Sequence, residues 1–266
     1  MTNIRDALGE LWRSDDRTPM VEYNGRWLTW GEIRTLTEKI ERELAAARCD
    51  AGGRVAVVQS NRPESVAALI AIFRSERTLV TISPLQPPPR LSADLVASGA
   101  RYVLAPGHLW SEQVFLDSIA ELDATAWSLD GDEIVRRAVS SRPSETGDAG
   151  VAIEMLTSGT TGPPKRIPLR RRQIEAALAA AKAYGGNGST KRPPLTGAAG
   201  LVTLPIVHIG GLWSLLQSLV SARPVVMLER FTVEGWRAAV KEHKPALVGL
   251  PPAAIRSVLD LSLIHI

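Results

Sequence analysis

Apolar residues recur at helical spacing in the stretch that follows Thr29. They form one face of a predicted helix: Ile33, Leu36, Ile40 and Leu44. Spacings of three and four residues are typical of an amphipathic helix. Glu32, three residues after Thr29, completes the pattern of a capping box, in which two side chains satisfy free backbone amides. The sequence therefore predicts a helix that begins just after Thr29.

Short β-branched runs alternate with helical stretches along the rest of the chain. The predicted strands lie at 54–60, 78–83, 101–105, 151–156, 200–205, 224–228 and 246–250. The predicted helices begin near Pro63, Leu91, Gln173, Gly211, Thr232 and Pro252. Such alternation implies right-handed crossovers between parallel strands. We expect an α/β fold of mainly parallel sheets flanked by helices.

Two segments rich in turn-forming residues interrupt this pattern. Residues 140–150 are rich in Ser, Gly and Pro, so we place a boundary there between two α/β subdomains, 1–145 and 146–260. Residues 84–91 contain three successive prolines, which remove three amide donors. We predict that this second segment is a surface connection and not a helix.

Composition narrows the class of protein. Hydrophobic residues make up 45% of the 266 residues and charged residues 22%, which is typical of a folded globular protein. The formal net charge is +3, and the 31 basic residues are scattered among 28 acidic ones, so nucleic-acid binding is not expected. The single cysteine, Cys49, excludes an internal disulfide, and the charged N-terminal stretch lacks a secretion-signal pattern. A cytoplasmic protein is expected.

One long stretch without charge raises the possibility of a membrane span. Residues 193–222 contain no Asp, Glu, Lys or Arg, but Pro205, Gly210 and Gly211 interrupt the middle of the stretch. A buried strand, a loop and a buried helix explain it better. We expect no membrane span.

A loop rich in glycine and hydroxyl groups follows the strand predicted at 151–156. It consists of Thr157, Ser158, Gly159, Thr160, Thr161, Gly162, Pro163, Pro164 and Lys165. Glycines allow backbone amides to approach phosphate oxygens closely, hydroxyls donate hydrogen bonds, and an ammonium group offsets negative charge. The spacing differs from the G-x-x-x-x-G-K-[ST] pattern of a P-loop. The remaining alternatives from composition are a polyphosphate-binding loop and an ordinary Ser/Gly turn.

This loop resembles the signature sequence of the adenylate-forming superfamily, which includes acyl-CoA synthetases, luciferases and nonribosomal-peptide adenylation domains. The resemblance covers residues 20–260 and includes WLTWGEI, the asparagine-containing segment 52–75, LPIVHIGGL and ALVGLPPAAIRSVLD. The chain departs from the family at Arg166, where glycine is usual, and at Glu76 and Arg77, where a glycine precedes the strand.

The resemblance implies that the loop holds the β- and γ-phosphates of ATP while a carboxylate attacks the α-phosphorus. The expected ATP-binding residues are Thr157, Ser158, Gly159, Thr160, Thr161, Gly162 and Lys165. Lys165 is also an expected catalytic residue. The implied cofactors and partners are ATP, Mg²⁺, a carboxylic acid and a thiol acceptor, either CoA or a carrier protein. The family's magnesium-binding glutamate motif has no match here, so no metal ligand is predicted.

His208 lies in an otherwise apolar stretch, where a lone histidine is usually a satisfied core residue. The resemblance implies instead that it lies beside the carboxylate and the α-phosphate as a catalytic and substrate-binding residue. Gly210 and Gly211 are expected to approach the acyl group, and Trp213 to line its pocket. The alternative for these three is a tight turn and a core aromatic. The identity of the acid and the oligomeric state stay open.

The family's later elements find no match in this chain, so we expect an N-terminal part without the C-terminal catalytic domain, inactive alone. The final residues 261–266, LSLIHI, do not resemble the family and are expected to be a non-native tail. Three functions remain: an acid–CoA ligase, an adenylation domain that loads a carrier protein, and a non-catalytic nucleotide-binding module.

Overall fold

A computed structural model describes residues 3–142, 147–157, 164–184, 193–245 and 248–265. Its helices are α1 Ile4–Gly9, α2 Trp30–Ala46, α3 Pro63–Arg74, α4 Pro88–Ser98, α5 Gln113–Glu121, α6 Arg171–Tyr184, α7 Ile209–Val220, α8 Val233–His243 and α9 Pro252–His265. Its strands are β1 Pro19–Tyr23, β2 Arg26–Thr29, β3 Arg54–Val58, β4 Thr78–Ile82, β5 Tyr102–Pro106, β6 Thr125–Asp130, β7 Glu133–Ala138, β8 Val151–Thr157, β9 Lys165–Arg170, β10 Gly200–Val202 and β11 Val225–Met227. The predicted α/β class is confirmed.

The described strands form two sheets, and both are mainly parallel. The larger sheet has the order β7-β6-β5-β3-β4-β8-β9, with antiparallel pairing only at its two edges. The smaller has the order β10-β11-β1-β2, with only β2 antiparallel. Parallel neighbours require crossover connections, which the helices provide. The smaller sheet joins the start of the chain to residues after 200.

The helices pack in layers around these sheets. The largest apolar cluster combines residues of α1, α2, α3 and α7 with residues of both sheets, so these helices lie between the sheets. A second cluster places α4 and α5 against the opposite face of the larger sheet. A third packs α8 against the outer face of the smaller sheet. Ten of the twelve residues of α3 are buried, because this helix has apolar neighbours on nearly every side.

The start of α2 confirms the predicted capping box. The backbone N–H of Glu32 donates to the hydroxyl of Thr29 at 3.3 Å, and the backbone N–H of Thr29 donates to the Glu32 carboxylate at 2.7 Å. The hydrogen bond from the Thr29 backbone lowers the pKa of Glu32 below its usual range, and partial burial offsets only part of this effect. This cap fixes where α2 begins, directly after β2.

The prediction that residues 84–91 form a surface connection was wrong for 88–91, whereas 84–87 do lie outside helices and strands. Helix α4 begins at Pro88, and Pro87 is its N-cap. Proline lacks an amide hydrogen, but the amides of the first helical turn have no intrahelical partner, so nothing is lost there. The proline run therefore starts a helix and does not prevent one.

The strand predicted at 246–250 and the subdomain boundary predicted at 145 can be compared with the structure. No strand forms at residues 248–250, although one was predicted over 246–250, and residues 246–247 lie outside the described part. The predicted boundary at 145 falls between β7 and β8, which belong to the same sheet. The division into two subdomains stays a prediction.

No helix among the described residues has both the length and the apolar character needed to cross a membrane.

Candidate active site

The carboxyl ends of parallel strands from both sheets meet at one place. In open α/β sheets this edge is where ligands usually bind. Asn61, which follows β3 of the larger sheet, contacts Leu204 after β10 and Leu228 after β11 of the smaller sheet. The carboxyl end of β8, which carries Thr157, lies two strand spacings from β3, or about 10 Å in the direction of the inter-strand hydrogen bonds.

The side chain of Asn61 makes three hydrogen bonds across this junction. Its amide nitrogen donates to the carbonyls of Leu204 at 3.0 Å and Leu228 at 2.8 Å. Its amide oxygen accepts from the backbone N–H of Ile206 at 2.9 Å. Asn61 is only 2% exposed, so both of its donors and its acceptor are satisfied by protein alone. The side chain links the two sheets through main-chain groups.

The predicted phosphate loop connects β8 to β9. Thr157 and Lys165 are paired across this hairpin, and the Thr157 hydroxyl donates to the Lys165 carbonyl at 3.0 Å. The side chain of Lys165 is exposed. The predicted residues Ser158, Gly159, Thr160, Thr161 and Gly162 lie outside the described residues. The structure thus describes the two ends of the loop, which strand pairing holds together.

Arg166, the second residue of β9, stands where the family described above usually has glycine, and its side chain is partly buried. Its guanidinium donates to Asp94 of α4 at 2.6 Å and to the carbonyls of Thr81 at 3.1 Å and Glu154 at 3.4 Å. The two charged side chains are 14% and 8% exposed. Arg166 therefore ties the strand that begins at Lys165 to β4, β8 and α4.

His208 ends the turn between β10 and α7. Its backbone N–H donates to the Pro205 carbonyl at 3.0 Å, and its carbonyl accepts from Leu212 at 3.0 Å. Its side chain is exposed, so the alternative of a satisfied core histidine is wrong. His208 is the N-cap of α7, but its side chain makes no capping hydrogen bond. Within the described ranges, the first amides of α7 therefore have neither an intrahelical partner nor a capping side chain, which favours negative charge nearby.

The glycines of this turn have different surroundings. A Cβ on Gly211 would lie 2.4 Å from the Pro205 carbonyl oxygen and 2.5 Å from that of Leu204. A Cβ on Gly210 would meet only a methyl carbon of Leu204, at 3.1 Å. Gly211 is therefore required for close packing of α7 on its own turn. Trp213 is partly buried and packs against the main apolar cluster. Contact of these residues with an acyl group stays a prediction.

Two buried amide side chains at this edge were not predicted as site residues. The sequence marks Asn61 only as a member of a segment that resembles the adenylate-forming superfamily. Gln59 is 1% exposed, and in the described part of the chain neither atom of its amide has a hydrogen-bond partner. Its backbone N–H donates to Ile82, which places it at the carboxyl end of β3. A polar residue within three positions of the end of an apolar strand is the signal that marks both positions.

The described residues supply no protein metal site. They contain no group of three or more His, Cys, Asp or Glu side chains placed to hold an ion. Mg²⁺ is commonly held by one or two carboxylates together with substrate phosphates. Among the described residues we therefore assign no ligand to a magnesium ion.

Comparison with known proteins shows the family. A family model described as AMP-binding enzyme matches residues 12–265. The nonribosomal peptide synthetase NPS2 of Ceriporiopsis subvermispora is 26% identical over 240 residues, which is 87% of this chain and 9% of that protein. The 2-succinylbenzoate–CoA ligase of Bacillus subtilis is 24% identical over 241 residues, which is 90% of this chain and 46% of that protein. The chain thus spans about half or less of the length of these curated relatives.

Solved structures share the fold. The o-succinylbenzoate CoA synthetase of Bacillus subtilis, in complex with an acyl-adenylate intermediate, superposes with a TM-score of 0.74 at 21% identity. The superposition covers 96% of this chain and 64% of that one. With the family model matching nearly the whole chain, this protein belongs to the family of AMP-binding, adenylate-forming enzymes.

Proposed function

We propose that this chain binds ATP and a carboxylic acid and takes part in forming an acyl-adenylate, as the first step of an acid–thiol ligase. The observation that supports this most directly is the meeting of the two sheets at Asn61. It brings the exposed His208 and the start of α7 to the same edge that carries Thr157 and Lys165. A triphosphate and a carboxylate must lie side by side for adenylation, and this edge offers groups suited to both.

Each residue has a defined part in this reaction. Lys165, with its exposed ammonium group, offsets the negative charge of the β- and γ-phosphates, and Thr157, Ser158, Gly159, Thr160, Thr161 and Gly162 contribute hydroxyls and amides to the same phosphates. His208 and the first amides of α7 orient the carboxylate. A carboxylate oxygen then bonds to the α-phosphorus, the bond from the α-phosphorus to the bridging oxygen breaks, and pyrophosphate leaves with that electron pair. Mg²⁺ bound to the phosphates would offset their charge.

The acceptor of the acyl group is a thiol, and CoA is the acceptor we propose. The match to the 2-succinylbenzoate–CoA ligase covers 90% of this chain and supports CoA. The match to a nonribosomal peptide synthetase supports a carrier protein as the second candidate. The acid is expected to contact Gly210, Gly211 and Trp213. We place the protein in the cytoplasm, where ATP and CoA are available.

Substitution of Lys165 tests the loop assignment. A charge-assisted hydrogen bond contributes about 1.5–3 kcal/mol, so Lys165→Ala should weaken ATP binding about 10- to 100-fold in calorimetric titration. Lys241→Ala removes an exposed lysine on α8 and is the matched control. In a protein that carries this chain at the full length of its relatives, Lys165→Ala should reduce acid-dependent pyrophosphate exchange more than acid binding. Unchanged ATP affinity and unchanged exchange would overturn the assignment.

The same assays separate the three candidate functions. A panel of fatty, aryl and small organic acids is tested for acid-dependent pyrophosphate exchange, then for thioester formation with CoA or with a carrier protein. Exchange with at least one acid supports adenylation, and the thiol consumed identifies the acceptor. ATP binding without exchange for any acid would indicate a nucleotide-binding module and would refute the proposed enzyme.

A further inference from the structure

Asn61 occupies an unusual place between two parts of the chain that are distant in sequence. Its three bonds reach groups 143, 145 and 167 residues away. All three partners are main-chain groups, so their recognition does not depend on the side chains at those positions. A fully satisfied buried amide of this kind specifies one arrangement of the segments that it joins.

The segment that Asn61 holds leads directly to His208. Asn61 binds the carbonyl of Leu204 and the amide of Ile206, on either side of Pro205. The Pro205 carbonyl accepts from the backbone N–H of His208, which closes the turn. Gly211 of α7 packs onto the same carbonyl, so the first turn of the helix is held as well. Only Val207 lies between Ile206, whose amide Asn61 binds, and the exposed His208.

We propose that Asn61 is the positioning residue for His208, and through it for the carboxylate of the acid substrate. This inference rests on the function proposed above. Asn61 itself touches no substrate in this scheme. It fixes the turn at 204–206, and the turn fixes the direction in which His208 and the first amides of α7 point. Small displacements of such groups reduce rate strongly, because the reacting atoms must meet within a narrow range of distances.

Asn61→Asp is the most informative change, because it keeps the size of the side chain. It replaces the amide nitrogen, which donates to two carbonyls, with a carboxylate oxygen that repels them. Asn61→Ser is a milder variant that retains one hydroxyl donor. Asn24→Asp is the matched control, since Asn24 is exposed in the turn between β1 and β2 and has a positive φ that aspartate tolerates.

The first readout is the NMR signal of the His208 ring in the 266-residue chain. The chain has four histidines, so the His208 signals can be assigned by their loss in His208→Gln. Asn61→Asp, or Asn61→Ser if the first variant does not fold, should shift the His208 ring signals, while Asn24→Asp leaves them unchanged. Unmoved His208 signals in a folded Asn61 variant would overturn the positioning role, whatever reaction the protein catalyses.

The second readout is acid-dependent pyrophosphate exchange in a protein of the relatives' full length. Asn61→Asp should lower kcat about 10- to 100-fold and leave the KM for ATP nearly unchanged, because the phosphate loop belongs to the hairpin of β8 and β9 and Asn61 makes no contact with it among the described residues. His208→Ala in the Asn61→Asp background should cause little further loss, since both changes act on one group. Fully additive losses would show that the two residues act independently and would overturn the positioning role. Failure of exchange in the unsubstituted protein would refute the proposed function but not the NMR result.

Discussion

Replacing Arg166 with glycine breaks a buried ion pair and leaves Asp94 without a partner. The guanidinium and the carboxylate are 2.6 Å apart and are 14% and 8% exposed. The other carboxylate oxygen of Asp94 is buried and has no partner among the described residues. The loss of Arg166 would therefore leave an entire carboxylate buried with no hydrogen-bond donor.

The expected cost can be worked out from this geometry. Two unit charges about 4 Å apart attract by about 4 kcal/mol at an effective dielectric constant of about 20. Removing one partner of a buried pair typically costs about 3–5 kcal/mol, because the remaining charge stays buried. Glycine in a strand adds up to about 1 kcal/mol of backbone entropy cost. The free energy of unfolding of Arg166→Gly should thus fall by about 3–6 kcal/mol.

Arg170→Gly is the matched control on the same strand. Arg170 pairs with Asp148, but these side chains are 48% and 57% exposed, and exposed pairs contribute about 0–1 kcal/mol. Urea unfolding followed by tryptophan fluorescence measures both variants. The double variant Arg166→Met with Asp94→Leu should recover most of the loss, because well-packed apolar residues can replace a buried pair. Equal losses for Arg166→Gly and Arg170→Gly would refute the reasoning.

Three further predictions concern single positions. Gly211→Ala should lower the free energy of unfolding by about 1–3 kcal/mol through its clash with the Pro205 carbonyl, whereas Gly210→Ala should be neutral or stabilising in urea unfolding; the reverse order would contradict the packing. Gln59→Leu should raise the midpoint of thermal unfolding, because the amide that it removes is buried and has no partner among the described residues; a lower midpoint would indicate that the amide binds a water or a ligand. The pKa of Glu32 is lower in the folded than in the unfolded chain. Its ionised form therefore stabilises the fold at pH values above the pKa of the unfolded state, and this contribution is lost as the pH falls through the pKa of the folded state. Glu32→Gln should therefore be less stable than the unsubstituted chain at pH 7 but not at about pH 3, and a difference that persists in acid would contradict this.

Local patterns predicted the elements that depend on local chemistry. The capping box placed the start of α2, and the β-branched runs placed β3 and β4, because their signals lie within a few residues. The hairpin of β1 and β2 was missed, although Asn24 and Gly25 between these strands both have positive φ and form a strong hairpin signal. The proline run before α4 was misread because proline disfavours helix interiors but suits the first turn.

Only part of the candidate site could be predicted from the sequence. The composition of 157–165 suggested phosphate binding because the needed groups are adjacent in the chain. The sequence left open whether His208 is buried or exposed, because apolar neighbours in sequence do not report exposure, which depends here on where α7 begins. The bonds of Asn61 join residues more than 140 positions apart, and no pattern in a single sequence encodes such a contact.

The position of the site follows from the burial of α3. A helix with ten buried residues out of twelve needs apolar partners on nearly every side, and α1, α2 and the larger sheet supply them. Because α3 starts soon after the carboxyl end of β3, its N-terminus lies beside Asn61, which contacts the segments that follow β10 and β11 of the smaller sheet. Asn61 and Pro63 stand at that point, and Asn61 fastens the turn that carries His208. The apolar contacts of α3 therefore support the polar groups at its start, and a change that loosens α3 should also displace His208.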